Sequence, residues 1–510
     1  MHAGRVKVRI PMIFLGIDCG TQSTKTIALD WSTGEILASA QQAYGFVPNL
    51  PPGAMEQRPE DWSEAADATV LQVVERLGGR RSEVKAIGVS GQQHGFVPLD
   101  AEGRVVRPAK LWCDTSTTAQ CDEITRHFGG ASEVIRRTGN AMLPGFTAPK
   151  ILWLRQNEPE NWDKTRTVLL PHDYLNFWLT GRACMEFGDA SGTALLNIAE
   201  RAWATDVVDF VAPDLQEKLP PLQSSATASG MLRSELAARW GLGGEVEISS
   251  GGGDNMMGAI GTGNIQPGAV TASLGTSGTL YAFSDAPVTD AKGEVAGFCD
   301  STDNWLPLVC TMNLTLVTEQ VRNMFGWGYD EFDRCVGSVA AGSDGLLLLP
   351  YLTGERTPNL PHGTGVMHGL TVANFSSAHF ARAAVEGITL GLAYGLSRFR
   401  ELGIEPAEIR LTGGGSNSKA WRQVCADVFG VPVVCLRSGE GAGLGAAIQA
   451  GWIWNKEHGA DASLADICDR LVEVDDDSRV SPNAAHTAIY ADSLSRMNAV
   501  REALQTKGLL

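Results

Sequence analysis

The sequence predicts an α/β protein built from two domains of similar length. Three observations point there. Short apolar strands alternate with amphipathic helices, the turns between them are rich in glycine, and the composition shifts near residue 265, beside Pro267-Gly268. At roughly 150 residues per domain, 510 residues suggest about two to four domains. With 44% apolar and 19% charged residues the chain can bury large cores, which excludes disorder as its general state. The two domains are expected over residues 12–262 and 263–510.

Residues 13–17 are an apolar strand candidate. The polar turn Asp18-Cys-Gly-Thr-Gln-Ser-Thr24 leads to a second strand over 25–30, and Ser32-Thr33-Gly34 turns into a third over 35–40. That is a β-meander. A P-loop would need a helix after the glycines, and no GxxxxGK[ST] occurs. An amphipathic helix follows over 59–77, with Pro at its start and Gly78 at its end. Strand 84–89 runs into Ser90-Gly-Gln-Gln-His-Gly95, and a hairpin is expected around 100–103. Strand 245–250 then leads through Gly251-Gly-Gly to Asp254-Asn255 and a helix over 256–260.

The second domain restarts a strand–turn–strand pattern over 269–281, around Ser273-Leu-Gly-Thr-Ser-Gly278. Its Gly-Thr turn matches that of the first domain, a weak internal likeness. A long helix over 378–402 is closed by Gly403. Strand 408–412 runs into Gly413-Gly-Gly-Ser-Asn-Ser418, followed by helix 419–429, strand 431–436 and helix 443–452. This order suits a covered sheet with ligands at its strand ends. The stretch from 461 onward carries little signal.

A net charge of −17, with no basic patch beyond residues 5–9 and Gly79-Arg80-Arg81, argues against a nucleic-acid partner. A small anion remains bindable by local backbone donors. The ten cysteines form no CxxC pair, so they read as reduced thiols of a cytoplasmic protein without structural zinc. Residues 1–9 are basic and precede an apolar run over 10–17. Asp18 interrupts that run and no small-residue cleavage site follows, so a signal peptide is not expected. No window approaches the ~20 apolar residues of a membrane span.

Five constellations can carry chemistry. In Asp18-x-Gly20-Thr21-x-x-x-Lys25, turn amides can face phosphate oxygens, and Asp18 can hold Mg²⁺ through water. An ordinary hairpin turn explains the same residues. Gly275-Thr276 can clamp the same phosphates, or be another tight turn. Gly413-Gly414-Gly415 can bring a ligand to a helix N-terminus, or merely pack the helix. Asp254 can accept a proton from a substrate hydroxyl, and it is equally a preferred N-cap for the helix behind it. Gln93, His94, Trp112 and Asp114 suit a polyhydroxylated ligand, although a buried His is often purely structural.

Taken in this order, the set resembles the FGGY family of carbohydrate kinases from about residue 13 to 452. Gly145-Phe-Thr-Ala-Pro-Lys-Ile-Leu-Trp-Leu-Arg-Gln-Asn157, and Gly365-Val-Met-His-Gly-Leu370 continued through His379-Phe380 to Ala383-Ala-Val-Glu386, fit the family's two defining patterns. Leu349-Pro-Tyr-Leu-Thr-Gly-Glu-Arg-Thr-Pro358 is similar to the segment found in its xylulose-phosphorylating members.

The resemblance implies two ribonuclease-H-like, actin-type ATPase domains flanking a catalytic cleft, with ATP and Mg²⁺. It implies phosphoryl transfer to a terminal hydroxyl of a ketopentose, D-xylulose first, with ribulose, L-xylulose or another polyol as alternatives. Asp254 then corresponds to the catalytic base and Asp18 to the carboxylate near Mg²⁺. Gly20, Thr21, Gly275 and Thr276 correspond to the phosphate loops. Gly413, Gly414 and Ser418 fall in the adenosine turn. Gln93, His94, Asp254 and Asn255 fall where the family holds the sugar. Xylulose-phosphorylating members often carry Met at the position of Gln93, and many relatives carry Arg shortly after Asp114. Several have Asn at the position of Ser418. The partners on this reading are a small sugar and ATP, with a homodimer as an option. An actin- or Hsp70-like nucleotide switch is the alternative of another class; it needs no Asp254 beside a sugar.

Overall fold

The computed structural model describes residues 11–460 and 463–510. The basic segment 1–9 considered above lies outside the described residues.

The expected meander is present. Strand Ile13–Cys19 pairs antiparallel with Ser23–Asp30, which pairs antiparallel with Ile36–Ala43. On its other side Ile13–Cys19 pairs in parallel with Val84–Gly91, which in turn pairs in parallel with Glu247–Ser249; Ala228–Met231 closes that edge antiparallel. Ile13, Phe14, Leu15 and Ile17 are all buried, as a strand covered on both faces requires. Helix Pro59–Leu77 starts with Pro, ends at Gly78, and buries Trp62, Ala66, Val70 and Val73.

The second sheet repeats this plan. Leu308–Thr311, Gly278–Ala282 and Ala269–Leu274 form an antiparallel meander. Glu408–Thr412 and Val433–Leu436 add in parallel, and Val474–Val480 closes the edge antiparallel. The weak likeness of the two Gly-Thr turns thus reflects equivalent positions, each between the first and second strands of a meander. Helix Ser377–Glu401 covers this sheet, capped by the Ser376 hydroxyl, which accepts from the His379 N–H.

The chain divides into two units, but not by a single cut between 262 and 263. The first runs to Ile265 and takes in Phe298–Trp305 and Glu440–Val472; the second comprises Gln266–Gly297, Leu306–Gly439 and Glu473–Leu510. Helix Gly441–Glu457 explains the return. Its glycines lie directly on backbone of the first unit: a Cβ on Gly445 would sit 1.8 Å from Met257 O, and one on Gly16 would sit 2.0 Å from Gly443 O. Contacts so close tolerate no side chain, so they fix the helix to the Ile13–Cys19 strand and to helix Asp254–Gly261.

The uninformative tail also folds. Leu464–Leu471 and Ala484–Thr506 are helices flanking the strand Val474–Val480. All ten cysteines are free thiols. No helix among the described residues is long and apolar enough to cross a membrane.

Candidate active site

Helix Asp254–Gly261 follows the Gly251-Gly252-Gly253 turn, and Gly253, not Asp254, occupies its N-cap. The capping role allowed for Asp254 is therefore not the one it takes. As the first helical residue it accepts at Oδ1 from the Asn255 N–H (2.9 Å) and from Asn255 Nδ2 (3.0 Å). Asn255 Nδ2 also donates to Gln93 Oε1 at 2.8 Å. Asp254 keeps part of its surface exposed although it sits deep in the unit. Its proton affinity is pushed up to about 7, first by burial, then by the charges of Asp18 and Asp189, against the opposing bonds from Asn255. Such a carboxylate takes a proton readily near neutral pH.

Asp18 lies at the end of the Ile13–Cys19 strand and accepts from Ser90 Oγ at 2.8 Å. Burial raises its proton affinity, the Ser90 bond lowers it, and Glu440 raises it further. Lys25, opposite Asp18 in the ladder, forms its ion pair with Glu440. Asp18 is a hard oxygen donor near a polar turn, and no group of three or more His, Cys, Asp or Glu poised for a metal occurs among the described residues. That donor set fits Mg²⁺ held through water and does not fit an all-protein cage.

In the adjoining turn, Gly20 N–H closes onto Ser23 O at 3.0 Å. Thr21 Oγ1 donates to Gln92 Oε1 (3.0 Å) and accepts from Trp112 Nε1 (2.9 Å). The N–H groups of Thr21 and Gln22 have no acceptor among the described residues.

His94 has a φ of 64°, in the left-handed region where a side chain is disfavoured. Its carbonyl is held by Thr147 Oγ1 (3.1 Å) and Lys150 Nζ (3.0 Å). Its ring packs edge-on against Phe146 at 5.0 Å and lies 5.4 Å from Phe298. Gln93 is buried; with Oε1 turned to Asn255, its Nε2 faces no acceptor.

The structure brings Asp18, Asp254, Asn255, Gln93 and His94 onto the strand ends of the first unit. Asp114 is differently employed. Its buried carboxylate accepts from Lys110 Nζ (3.2 Å), the Met55 N–H (2.9 Å), and the Ser116 N–H (2.9 Å) and hydroxyl (2.6 Å). Lys110 also meets Glu56 at 3.1 Å. Those bonds fill Asp114, so it braces the Trp112 segment and is not free to take a ligand.

In the second unit, Gly413 has a φ of 80°, and a Cβ there would lie 2.8 Å from Leu274 C and O. The Gly413 turn and the Gly275-Thr276 turn are therefore in backbone contact. Gly414 is open on its outer side. Ser418 caps helix Lys419–Phe429, accepting from the Trp421 N–H, and donates to Asp333. Its hydroxyl is thus committed to the helix start.

Sequence reasoning missed several residues. Lys150 and Thr147 hold His94; the signal was their i,i+3 spacing inside the 145–157 motif. Below the Gly251–Gly253 turn lies a buried group. His172 Nδ1 is 2.7 Å from Asp189 Oδ2, Nε2 is 3.1 Å from Asp173 Oδ1, and Glu186 accepts the N–H groups of Gly188 and Asp189. Only the Glu186-x-x-Asp189 spacing hinted at it.

Residues 13–261 match the N-terminal domain of the FGGY family of carbohydrate kinases, and residues 270–454 match its C-terminal domain. The chain belongs to the FGGY family of carbohydrate kinases. It is 40% identical over 491 residues to a xylulose kinase of Haemophilus influenzae, covering 95% of this chain and 98% of that one. It is 36% identical over 441 residues to a xylulose kinase of Escherichia coli, covering 85% and 89%. A solved xyloylose kinase from Brucella ovis superposes with a TM-score of 0.90 at 30% identity, covering 97% of this chain and 99% of that one. The protein is accordingly an ATP-dependent carbohydrate kinase with the two-domain α/β fold of sugar kinases and actin-like ATPases.

Proposed function

We propose that this kinase transfers the γ-phosphoryl group of ATP to the terminal hydroxyl of a ketopentose, D-xylulose first, giving the 5-phosphate. The observation that carries the reading is the Asp254 carboxylate, fixed by Asn255 at the head of a helix and holding its proton with an affinity of about 7. The relatives named as xylulose kinases support the choice of sugar.

Asp254 takes the proton of the attacking hydroxyl as its oxygen bonds to the γ-phosphorus; the bond from that phosphorus to the bridging oxygen breaks, and ADP leaves. Asn255 keeps the carboxylate oriented. Gln93 Nε2 and the His94 ring offer the polar contacts that orient the sugar, with Phe146 and Phe298 as apolar support behind the imidazole. The amides of Thr21 and Gln22, and those of Thr276 and Ser277, are the donors to phosphate oxygens. Asp18 would hold Mg²⁺, and the ion, when bound, would supply neutralisation of charge on the phosphoryl oxygens. Gly413 and Gly414 take the adenosine, with Ser418 acting through the helix it caps. A cytoplasmic location and a homodimer belong to the same reading.

The test is ADP release from the purified protein with ATP and Mg²⁺ across D-xylulose, L-xylulose, D- and L-ribulose and glycerol. D-Xylulose should give the highest kcat/KM. A tenfold preference for another sugar would overturn the assignment, and sugar-independent hydrolysis would point to the nucleotide-switch class.

A further inference from the structure

The segment Leu349-Pro-Tyr-Leu-Thr-Gly-Glu-Arg-Thr-Pro358 takes no part in the reaction as described. Its second half closes on itself: the Glu355 N–H donates to Leu360 O at 2.7 Å and the Leu360 N–H returns to Glu355 O at 2.9 Å. The Glu355 side chain, only 4% exposed, turns inward. Its Oε1 accepts from the Met312 N–H (2.6 Å) and the Arg356 N–H (2.9 Å), and its Oε2 from Asn313 Nδ2 (3.0 Å). Asn313, 1% exposed, also donates from Nδ2 to Gly354 O at 2.6 Å. Its Oδ1 accepts from the Thr353 N–H and hydroxyl, both at 3.1 Å. Acceptors on one side and donors on the other fix the orientation of this amide.

The next two residues reach the nucleotide turn. The Leu314 N–H donates to Thr276 O at 3.1 Å, and the Thr315 N–H donates to Gly275 O at 3.0 Å. A trans peptide is planar, with its C=O and N–H antiparallel. Holding Gly275 O therefore aims the Thr276 N–H, and holding Thr276 O aims the Ser277 N–H. Those are the two donors assigned to phosphate oxygens. All these groups lie within the second unit.

We propose that Glu355, acting through Met312 and Asn313, is a positioning residue for ATP: it fixes the 312–315 backbone that points the Thr276 and Ser277 N–H groups at the nucleotide's phosphates. This gives the 349–358 motif a role in nucleotide binding, distinct from sugar choice. It rests on the reading that the Gly275-Thr276 turn binds ATP.

Glu355→Gln replaces one accepting oxygen with an NH₂ group that meets a donor, so the brace loosens without loss of volume. In the full-length enzyme, KM for ATP should rise about tenfold while KM for D-xylulose stays within twofold, because a charge-assisted brace is lost from one ligand's turn only. Glu355→Asp should restore part of the loss. If Glu355→Gln does not fold, Thr353→Val removes one donor to Asn313 and should raise KM for ATP by about twofold to threefold alone. An unchanged KM for ATP in a folded variant, or an equal rise for both substrates, would overturn the proposal. Hydrogen exchange separates this from the underlying reading. If ADP does not protect the 275–278 amides in the unmodified enzyme, the phosphate-turn assignment fails. If it protects them and Glu355→Gln still binds ATP normally, only the role of Glu355 fails.

Discussion

Replacing Asp254 with Asn tests the proposed base directly, because it removes charge and little else. The side chain keeps its size, and Oδ1 still accepts from the Asn255 N–H and Nδ2, now at 2.9 and 3.0 Å. Loss of a general base typically costs about 10²- to 10⁴-fold, so kcat should fall by at least about 10² while KM for ATP changes little. The pH profile gives a second reading. With the Asp254 proton affinity at about 7, kcat/KM for the sugar should rise tenfold per pH unit below that value and level off above it; the variant should show no such limb.

Stability should move the other way. The native state holds a proton that the unfolded chain, near the ordinary 3.8, has released, so Asp254 favours folding in acid and loses that contribution as pH rises through about 7. The interval corresponds to about 4 kcal/mol as an upper bound, and partial exposure brings the expectation to about 2 kcal/mol. Asp254→Asn should therefore be more stable than the unmodified protein at pH 8, with the difference vanishing below pH 4. Urea melts at both pH values, beside initial rates from pH 5.5 to 9, make the assay. A variant with near-normal turnover and an unchanged acid limb would refute the reasoning.

Gly192→Ala would place a Cβ 2.1 Å from His94 Nδ1, so the ring must move; KM for the sugar should rise about tenfold or more and KM for ATP should not, as initial rates with each substrate varied would show. Gly445→Ala would drive a Cβ to within 1.8 Å of Met257 O, backbone that cannot yield; at about 1–3 kcal/mol or more of overpacking, the melting temperature and kcat should fall together, since Asp254 heads the helix being displaced. Ser418→Ala removes a helix cap and should cost about 1 kcal/mol in urea melts, with at most a few-fold rise in KM for ATP.

Much of the fold was legible because its signals are local. Apolar runs of strand length gave the first meander and the opening strand pair of the second, and Pro59, Gly78 and Gly430 marked helix ends where the structure has them. The return of residues 440–472 to the first unit was not legible. Helix Gly441–Glu457 returns to the first unit through backbone contacts with Gly16 and Met257, residues far away in sequence, and glycine spacing does not say which partner it will meet. The last helix was missed for a different reason. Ala484–Thr506 buries only Tyr490, Ser493, Met497 and Arg501, a stripe half of which is polar, so its apolar periodicity is faint. At the site, residue type pointed to Asp254 and His94, but not to what Asp114 does. A carboxylate two residues after a Trp looks the same whether it faces a ligand or Lys110; only the placement of Lys110 and Ser116 decides it.

The buried group beneath Asp254 bears on where the proposed base titrates. Burial alone raises a carboxylate, and each further negative charge raises it more. Asp18 and Asp189 both do so here, and uncompensated neighbours would carry Asp254 beyond the range in which it could be ionised at pH 7. Two features limit that field. Burial pushes Glu186 up to about 8, so it is largely neutral at pH 7 despite the N–H groups it accepts. Burial draws His172 down, but Asp173 and Asp189 together outweigh it and leave it at about 9, an imidazolium set 2.7 Å from Asp189. The His172–Asp189 pair thus lies beneath the proposed base, and Asp189 is one of the charges that raise it.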